Sequence, residues 1–346
     1  MRIAMLPSLL APVAAGQCFG GAEMAALDLT EALAALGHEL WLIGVKGSQA
    51  RGARTLLAPP TPAFVPGEEV RLTLEPFPEV LAALPAGLDV IHAHLNDPGA
   101  LLSLDAYACA HPSVRVLSTL HLSAVFPSTT AVVQELLGRG SPVCFTAPSA
   151  FAAHSYGVEG IRVIPNGIDL SRIAFHARPD PDLHLAWAGR RAPEKGLDAA
   201  IRIAHGAGSV LEVAALSPPV GPSPPQVVER GRLPREEVPG FLGRAAATLL
   251  TSSIAEAHPL VAIESLAAGT PVVGFAVGGL PEIVDEATGI LVAPGDVEAA
   301  IRAVSQTSAL DRRACRAKAE RCFDRQRATQ AYLQSYALGP KRSGPH

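Results

Sequence analysis

Short apolar runs alternate with stretches of helical spacing from the first residues onward. Arg2 to Pro7 has the pattern of a buried strand, and the loop after it ends at Gly20-Gly21. Ala22 to Leu36 repeats apolar residues every three or four positions and stops at Gly37, which predicts a helix. Glu39 to Val45 is the next strand. Asp89-Val90-Ile91-His92-Ala93-His94 is a short buried strand with polar groups at its end, and Val114 to Thr119 is another. Alternating β and α segments predict a parallel, doubly wound sheet. Ligands of such sheets sit at the carboxyl ends of the strands. Gly20-Gly21, His92 to Asp97 and His121 fall at such ends.

The alternation then restarts. Val163-Ile164-Pro165-Asn166-Gly167-Ile168-Asp169 joins a strand to an Asn-Gly turn, and a fresh βα series opens at Leu183 to Gly189. A domain boundary is therefore expected near 170. The chain of 346 residues suits two α/β domains of roughly 150–170 residues each. Pro218 to Pro225 reads as a proline-rich surface loop, Asp311 to Tyr336 as one terminal helix, and Leu338 to His346 as a frayed tail. No solenoid-length repeat is evident.

Composition narrows the function classes. Hydrophobic residues make up 49% of the chain and charged ones 17%, enough apolar surface for two large cores. The net charge of −4 hides an asymmetry: residues 1–170 hold 8 Lys/Arg against 14 Asp/Glu, and residues 171–346 hold 20 against 18. An acidic first half argues against nucleic acid and against an anionic membrane surface as partners. Five scattered cysteines (Cys18, Cys109, Cys144, Cys315, Cys322) without a Cys-x-x-Cys fit free thiols in a reducing compartment, so a cytoplasmic protein without a zinc site is expected. Met1 to Ala15 carries Arg2, an apolar run and Ala14-Ala15, as a signal peptide does, but it also parses as the first strand and its loop, the reading adopted. Ser265 to Pro281 lacks charge, yet its glycines and prolines divide it into helix end, strand and turn, so no membrane span is expected.

The densest chemistry lies at Glu256-Ala257-His258-Pro259-Leu260-Val261-Ala262-Ile263-Glu264. Pro259 marks a helix start and Gly269 its stop, setting Glu256 in a loop and Glu264 in the second turn. A helix start attracts phosphate through free N–H groups and the macrodipole. Flanking carboxylates repel bare phosphate but suit the hydroxyls of a sugar attached to it. Two surface acids on a helix are the bland reading. Upstream, Ala188-Gly189-Arg190-Arg191-Ala192-Pro193-Glu194-Lys195-Gly196 follows a strand and precedes a helix. Cations beside glycines there can clamp a diphosphate, although the segment is no Walker loop and an ordinary solvated turn is as good a reading in isolation. Gly20-Gly21 offers close backbone approach at a helix start, or merely a tight turn. His92-x-His94 lacks an evident third ligand, so core or surface histidines are favoured over a metal pair. His121, ending its strand, is the better functional candidate.

Taken together these segments resemble the retaining glycosyltransferases of family 4. The resemblance covers nearly the whole chain. It rests on Gly20-Gly21-Ala22-Glu23, Gly37-His38-Glu39-Leu40, Asp89 to His94, Ile164 to Asp169, Gly189-Arg190 with Pro193 to Gly196, and Glu256-x7-Glu264 continuing to Gly295-Asp296. It implies an α/β GT-B fold: two Rossmann-like, doubly wound domains facing each other across a cleft. The first domain would span 1–169, joined by a terminal helix at about 320–338, and the donor-binding domain 170–319. The resemblance further implies that Arg190 and Lys195 neutralise the diphosphate of a nucleotide-sugar donor (a UDP-sugar favoured), that Glu264 binds ribose hydroxyls, and that Glu256 contacts the transferred sugar. Gly20 and Gly21 would face the diphosphate from the other domain, and His121 would lie beside the donor sugar. Gly189 and the backbone of His258, Pro259, Leu260 and Val261 would complete the pocket. Backbone near Leu233 and Thr251-Ser252-Ser253 would hold the base. No metal or cofactor is required in that scheme. The partners are the donor and a small-molecule or saccharide acceptor. One departure stands out: His258-Pro259 replaces the usual aromatic-glycine, which bears on donor-sugar preference. A nucleotide-sugar epimerase on the same scaffold, and a sugar- or nucleotide-binding protein without turnover, remain the alternatives from sequence.

Overall fold

The computed structural model describes residues 1–9, 11–15, 20–58, 77–182, 184–219 and 221–338. Cys18 and Leu183, and the tail from 339, lie outside the described residues. The chain divides into two compact units. One comprises Met1–Gly167 with the segment from Arg325 onward, and the other Ile168–Asp324.

The first unit is built on strands β1 (Arg2–Leu6), β2 (Glu39–Gly44), β3 (Ala53–Leu57), β4 (Val90–Ala93), β5 (Arg115–Thr119), β6 (Cys144–Ala147) and β7 (Arg162–Val163). They form a parallel sheet in the order β3-β2-β1-β4-β5-β6-β7. Side chains alternate across a strand, so each parity feeds one face. Ala4, Leu6, Trp41, Ile43, Ile91 and Ala93 enter one core. Ile3, Met5, Leu40, Val90, Leu117 and Cys144 enter the other, closed by Leu29 and Leu33 of helix Gly21–Ala35 and by Tyr332 and Tyr336 of helix Arg325–Ala337. Burial of both faces explains why these strands read as near-continuous apolar runs.

The second unit repeats the design with β8 (His184–Gly189), β9 (Val210–Ala215), β10 (Val227–Gly231), β11 (Ala247–Leu250), β12 (Val272–Phe275) and β13 (Gly289–Val292). Their order is β10-β9-β8-β11-β12-β13, again parallel. In both sheets the strand order reverses beside the first strand, between β1 and β4 and between β8 and β11. Ligands of such sheets bind at that point. Among the described residues, no helix is long and apolar enough to cross a membrane.

Two expectations are corrected. Asp311 to Tyr336 is not one helix but two, Arg312–Cys322 and Arg325–Ala337. Phe323 is buried with its ring beside His258, and its carbonyl accepts the Ile168 N–H at 2.9 Å, so the carbonyl is not free to continue the helical ladder. The return to the first unit accordingly starts at Arg325 rather than near 320. Pro259 sits one residue outside helix Leu260–Ala268, in extended conformation as its N-cap, while Gly269 ends the helix in the left-handed region.

Candidate active site

Two loops meet at the switch point of the second sheet: residues 190–196 after β8 and 251–259 after β11. They are laced by hydrogen bonds onto the backbone carbonyls of Glu194 and Gly196. Thr251 Oγ1 donates to Gly196 O at 2.7 Å, Ser252 Oγ to Glu194 O at 2.9 Å, and the Ser253 N–H to the same carbonyl at 2.8 Å. Gly196 makes the approach possible. Its φ is +68°, and an added Cβ would overlap Thr251 O and lie 2.7 Å from Thr251 C.

The lacing sets Lys195 and Glu256 side by side, with Lys195 Nζ donating to Glu256 Oε2 at 2.5 Å. Their side chains are only 23% and 26% exposed, so solvent screens the pair incompletely. Glu256 is held from behind by a glycine turn. The Gly279 N–H donates to Glu256 O at 2.8 Å, and Gly278, at φ +65°, has no room for a Cβ, which would come within 2.7 Å of Glu256 N. Arg190 is more exposed and pairs with Glu194 at 3.4 Å. Gly189 ends β8 beside the Trp187 ring. Arg190, Lys195 and Glu256 therefore all lie on these two loops, each cation already beside an acid.

The helix that follows carries Glu264 on its buried side, 5% exposed. Val261 of that helix and Leu233, after β10, both pack on a small core of Ala186, Ala214, Phe241, Leu242 and Ala245. Leu233 and the helix start thus border the same end of the sheet. His258 is buried, and its imidazole stands edge-on to Phe323 with ring centres 5.6 Å apart. The side chain that departs from the usual aromatic-glycine is therefore used for packing.

In the first unit, Gly20 is the extended N-cap of helix Gly21–Ala35. Beyond β4 and β5 lies a chain of histidines. His94 Nδ1 and His121 Nε2 are 2.8 Å apart, with the rings stacked at 5.1 Å. The His121 N–H donates to Asn96 Oδ1 at 3.2 Å. Asn96 Nδ2 donates to Tyr156 Oη at 3.1 Å, and that hydroxyl donates to Leu122 O at 3.0 Å. Burial depresses the pKa of His121 to about 4 and of His92 to about 3, and holds His94 well below the ordinary histidine range. At neutral pH each ring therefore offers one donor and one acceptor. His92 uses both nitrogens within the protein, on Tyr336 Oη at 2.8 Å and Thr119 Oγ1 at 2.7 Å, so it has no lone pair for a metal. Among the described residues no group of three or more His, Cys, Asp or Glu side chains is arranged to hold a metal ion.

Sequence reasoning missed Asn96, Tyr156 and the backbone carbonyl of Glu194. Asn96 stands just past His94 at the strand end and carried a signal of place. Tyr156 and the carbonyl, distant or featureless in sequence, carried none.

Comparison with known proteins shows the family and the fold. Residues 19–172 match Glycosyltransferase Family 4, and residues 225–321 match Glycosyl transferases group 1. The glycogen synthase of Mycobacterium tuberculosis is 30% identical over 305 residues, spanning 73% of this chain and 69% of that protein. A D-inositol 3-phosphate glycosyltransferase of Mycobacterium avium is 29% identical, spanning 80% of this chain and 81% of its own. Among solved structures, the sucrose-phosphate synthase of Thermosynechococcus elongatus has a TM-score of 0.80 at 22% identity and covers 97% of this chain and 98% of its own. HepE of Anabaena, solved in complex with UDP, has a TM-score of 0.71 at 17% identity and covers 97% and 100%. The structures establish the fold and the sequence relatives the family: the chain is a glycosyltransferase of the family 4, group 1 type, with the two Rossmann-like units of a GT-B fold.

Proposed function

We propose that the chain moves a hexosyl or N-acetylhexosaminyl group, with retention, from a nucleoside-diphosphate sugar to a hydroxyl of a small-molecule or saccharide acceptor. The observation that carries this reading is the convergence of Lys195, Arg190 and Glu256 at the switch point of the second sheet. In the reaction the bond from the anomeric carbon to the diphosphate oxygen breaks, a bond to the acceptor oxygen forms, and the acceptor's proton leaves to the departing diphosphate or solvent. Negative charge grows on the leaving group. Preorganised cations and helix N–H groups aimed at that charge are the largest catalytic lever available.

Arg190 and Lys195 take the diphosphate, with Gly189 and the backbone of residues 258–261 beside it. Glu264 takes ribose hydroxyls, and Glu256 takes hydroxyls of the transferred sugar. Leu233 borders the base. In the first unit, Gly20 and Gly21 offer backbone N–H groups at a helix start, and His121, neutral and held by His94 and Asn96, can hydrogen-bond a sugar hydroxyl. Uridine is the favoured base, supported by the HepE structures in complex with UDP and with UDP and glucose. The scheme asks for no metal, since the cations supply the positive charge. The described cysteines are all free thiols, which suits a cytoplasmic enzyme.

The test is a thermal-shift panel of UDP-, ADP- and GDP-sugars, followed by acceptor panels read by mass spectrometry and the product anomer read by NMR. A UDP-sugar should raise the melting temperature and give a product with the donor's anomeric configuration, with turnover unchanged by EDTA. If no nucleoside diphosphate shifts the melting temperature, the donor-site reading fails.

A further inference from the structure

Lys195 is not waiting open for phosphate: Glu256 holds it at 2.5 Å. Both backbones that carry the contact are held in place. Lys195 lies between Glu194, whose carbonyl accepts two hydrogen bonds, and Gly196, pressed against Thr251. The Gly278-Gly279 turn clasps Glu256. With Arg190 beside Glu194, the four charges sum to zero. A dianionic diphosphate thus arrives at cations that are already paired with acids.

This bears on how donor and product are told apart. A bare nucleoside diphosphate carries more negative charge than its sugar ester, because its terminal phosphate has a second ionisation near neutrality. Free cations alone would therefore hold product more tightly than donor. Glu256 reverses that order. A carboxylate only accepts hydrogen bonds, and a sugar hydroxyl can donate to it. When a sugar is present its hydroxyls satisfy Glu256, and Lys195 turns to the phosphate. With bare diphosphate nothing replaces Lys195, so Glu256 competes with the anion for the cation. Resting on the donor-site reading, we infer that Glu256 is a specificity residue that makes the site favour sugar-bearing donor over free nucleoside diphosphate. It restores its pair with Lys195 once the sugar has gone, which promotes product release.

The test is calorimetric titration of UDP and UDP-glucose into wild type, Glu256→Gln, Lys195→Ala and the double variant, with the melting temperature of each as the check on folding. Glu256→Ala serves as a second variant if the amide fails to fold. Glu256→Gln should bind UDP about tenfold more tightly, a partly screened charge effect, and UDP-glucose no more tightly than wild type. The gain should vanish when Lys195 is absent. The inference is overturned if Glu256→Gln binds UDP no better than wild type does. It is also overturned if the gain persists beside Lys195→Ala, which would make it plain repulsion. A wild-type protein that binds neither UDP, ADP nor GDP would instead remove the donor-site reading, and this inference with it.

Discussion

Replacing Gly196 with alanine tests whether the lacing of the two loops makes the site. Two costs should add. The first is conformational: a residue with a Cβ at φ +68° costs roughly 1–2 kcal/mol. The second is contact. The new methyl would overlap Thr251 O, so the loops must part, weakening the hydrogen bonds of Thr251 to Gly196 O and of Ser252 and Ser253 to Glu194 O. At about 1 kcal/mol net each, these bring the total to roughly 4–5 kcal/mol. Gly208 is the control, since its φ is +63° but an added Cβ meets nothing within 4 Å, leaving the conformational cost alone. The chain has two tryptophans, one in each unit: Trp41 on β2 and Trp187 on β8. In a Trp41→Phe background, Trp187 fluorescence follows the second unit. At roughly 2–4 °C per kcal/mol for a unit of this size, Gly208→Ala should lower the midpoint by about 2–8 °C and Gly196→Ala by about 8–20 °C. Gly196→Ala should also weaken UDP binding, and Gly208→Ala should not. Equal midpoint shifts in the two variants would refute the lacing.

Lys195→Ala should keep its melting temperature within a few degrees of wild type and lose transfer by about a hundredfold or more, as removal of a charge-stabilising group does; near-wild-type turnover would end the clamp assignment. Tyr336→Phe removes the partner of His92 Nδ1 inside the first unit and should cost about 1–3 kcal/mol of that unit's stability, read from Trp41 fluorescence in urea. An unchanged midpoint would show that the hydroxyl is dispensable. Acid should destabilise the first unit through its buried histidines. Their folded pKa values lie below the unfolded 6.5, so the unfolded chain takes up protons first. Stability is therefore full above pH 6.5 and falls as pH drops toward about 4 for His121 and about 3 for His92, by about 1.4 kcal/mol per pH unit for each. His92→Asn should flatten the slope of urea midpoint against pH between 6.5 and 5; an unaltered slope would place the protons elsewhere.

How much of this was legible depended on how locally each feature is encoded. Strands buried on both faces are visible as apolar runs, which is why β1, β2, β4 and β5 emerged within a residue or so of their positions. β3 did not: Arg54, Thr55 and Leu57 keep an edge strand half exposed, and nothing in that composition distinguishes it from a loop. The helical break at Phe323 was hidden for a different reason. Arg312 to Ala337 contains neither glycine nor proline, so no local breaker exists. The break is made by burial of one aromatic side chain and by a carbonyl claimed from Ile168, more than 150 residues away in the chain. Tertiary contact overrides propensity there.

The site shows the same division more sharply. The chemical types of Arg190, Lys195 and Glu256 pointed to phosphate and sugar hydroxyls, because only a few side chains suit those groups. Their mutual arrangement was not. From spacing, Lys195 and Glu256 are 61 positions apart, and each was given a separate part of one ligand. The structure makes them partners first, because Gly196 and Gly278 remove the side-chain bulk that would otherwise keep their loops apart. Glycine at these two positions thus does indirect electrostatic work. By allowing backbone to touch backbone, it decides which cation faces which acid before any ligand arrives. A family motif preserves the residue types, but whether the cation is free or already paired is settled by those close approaches. The sequence alone offers two cations and several acids without saying which faces which, and the ion pairs set one acid against each cation.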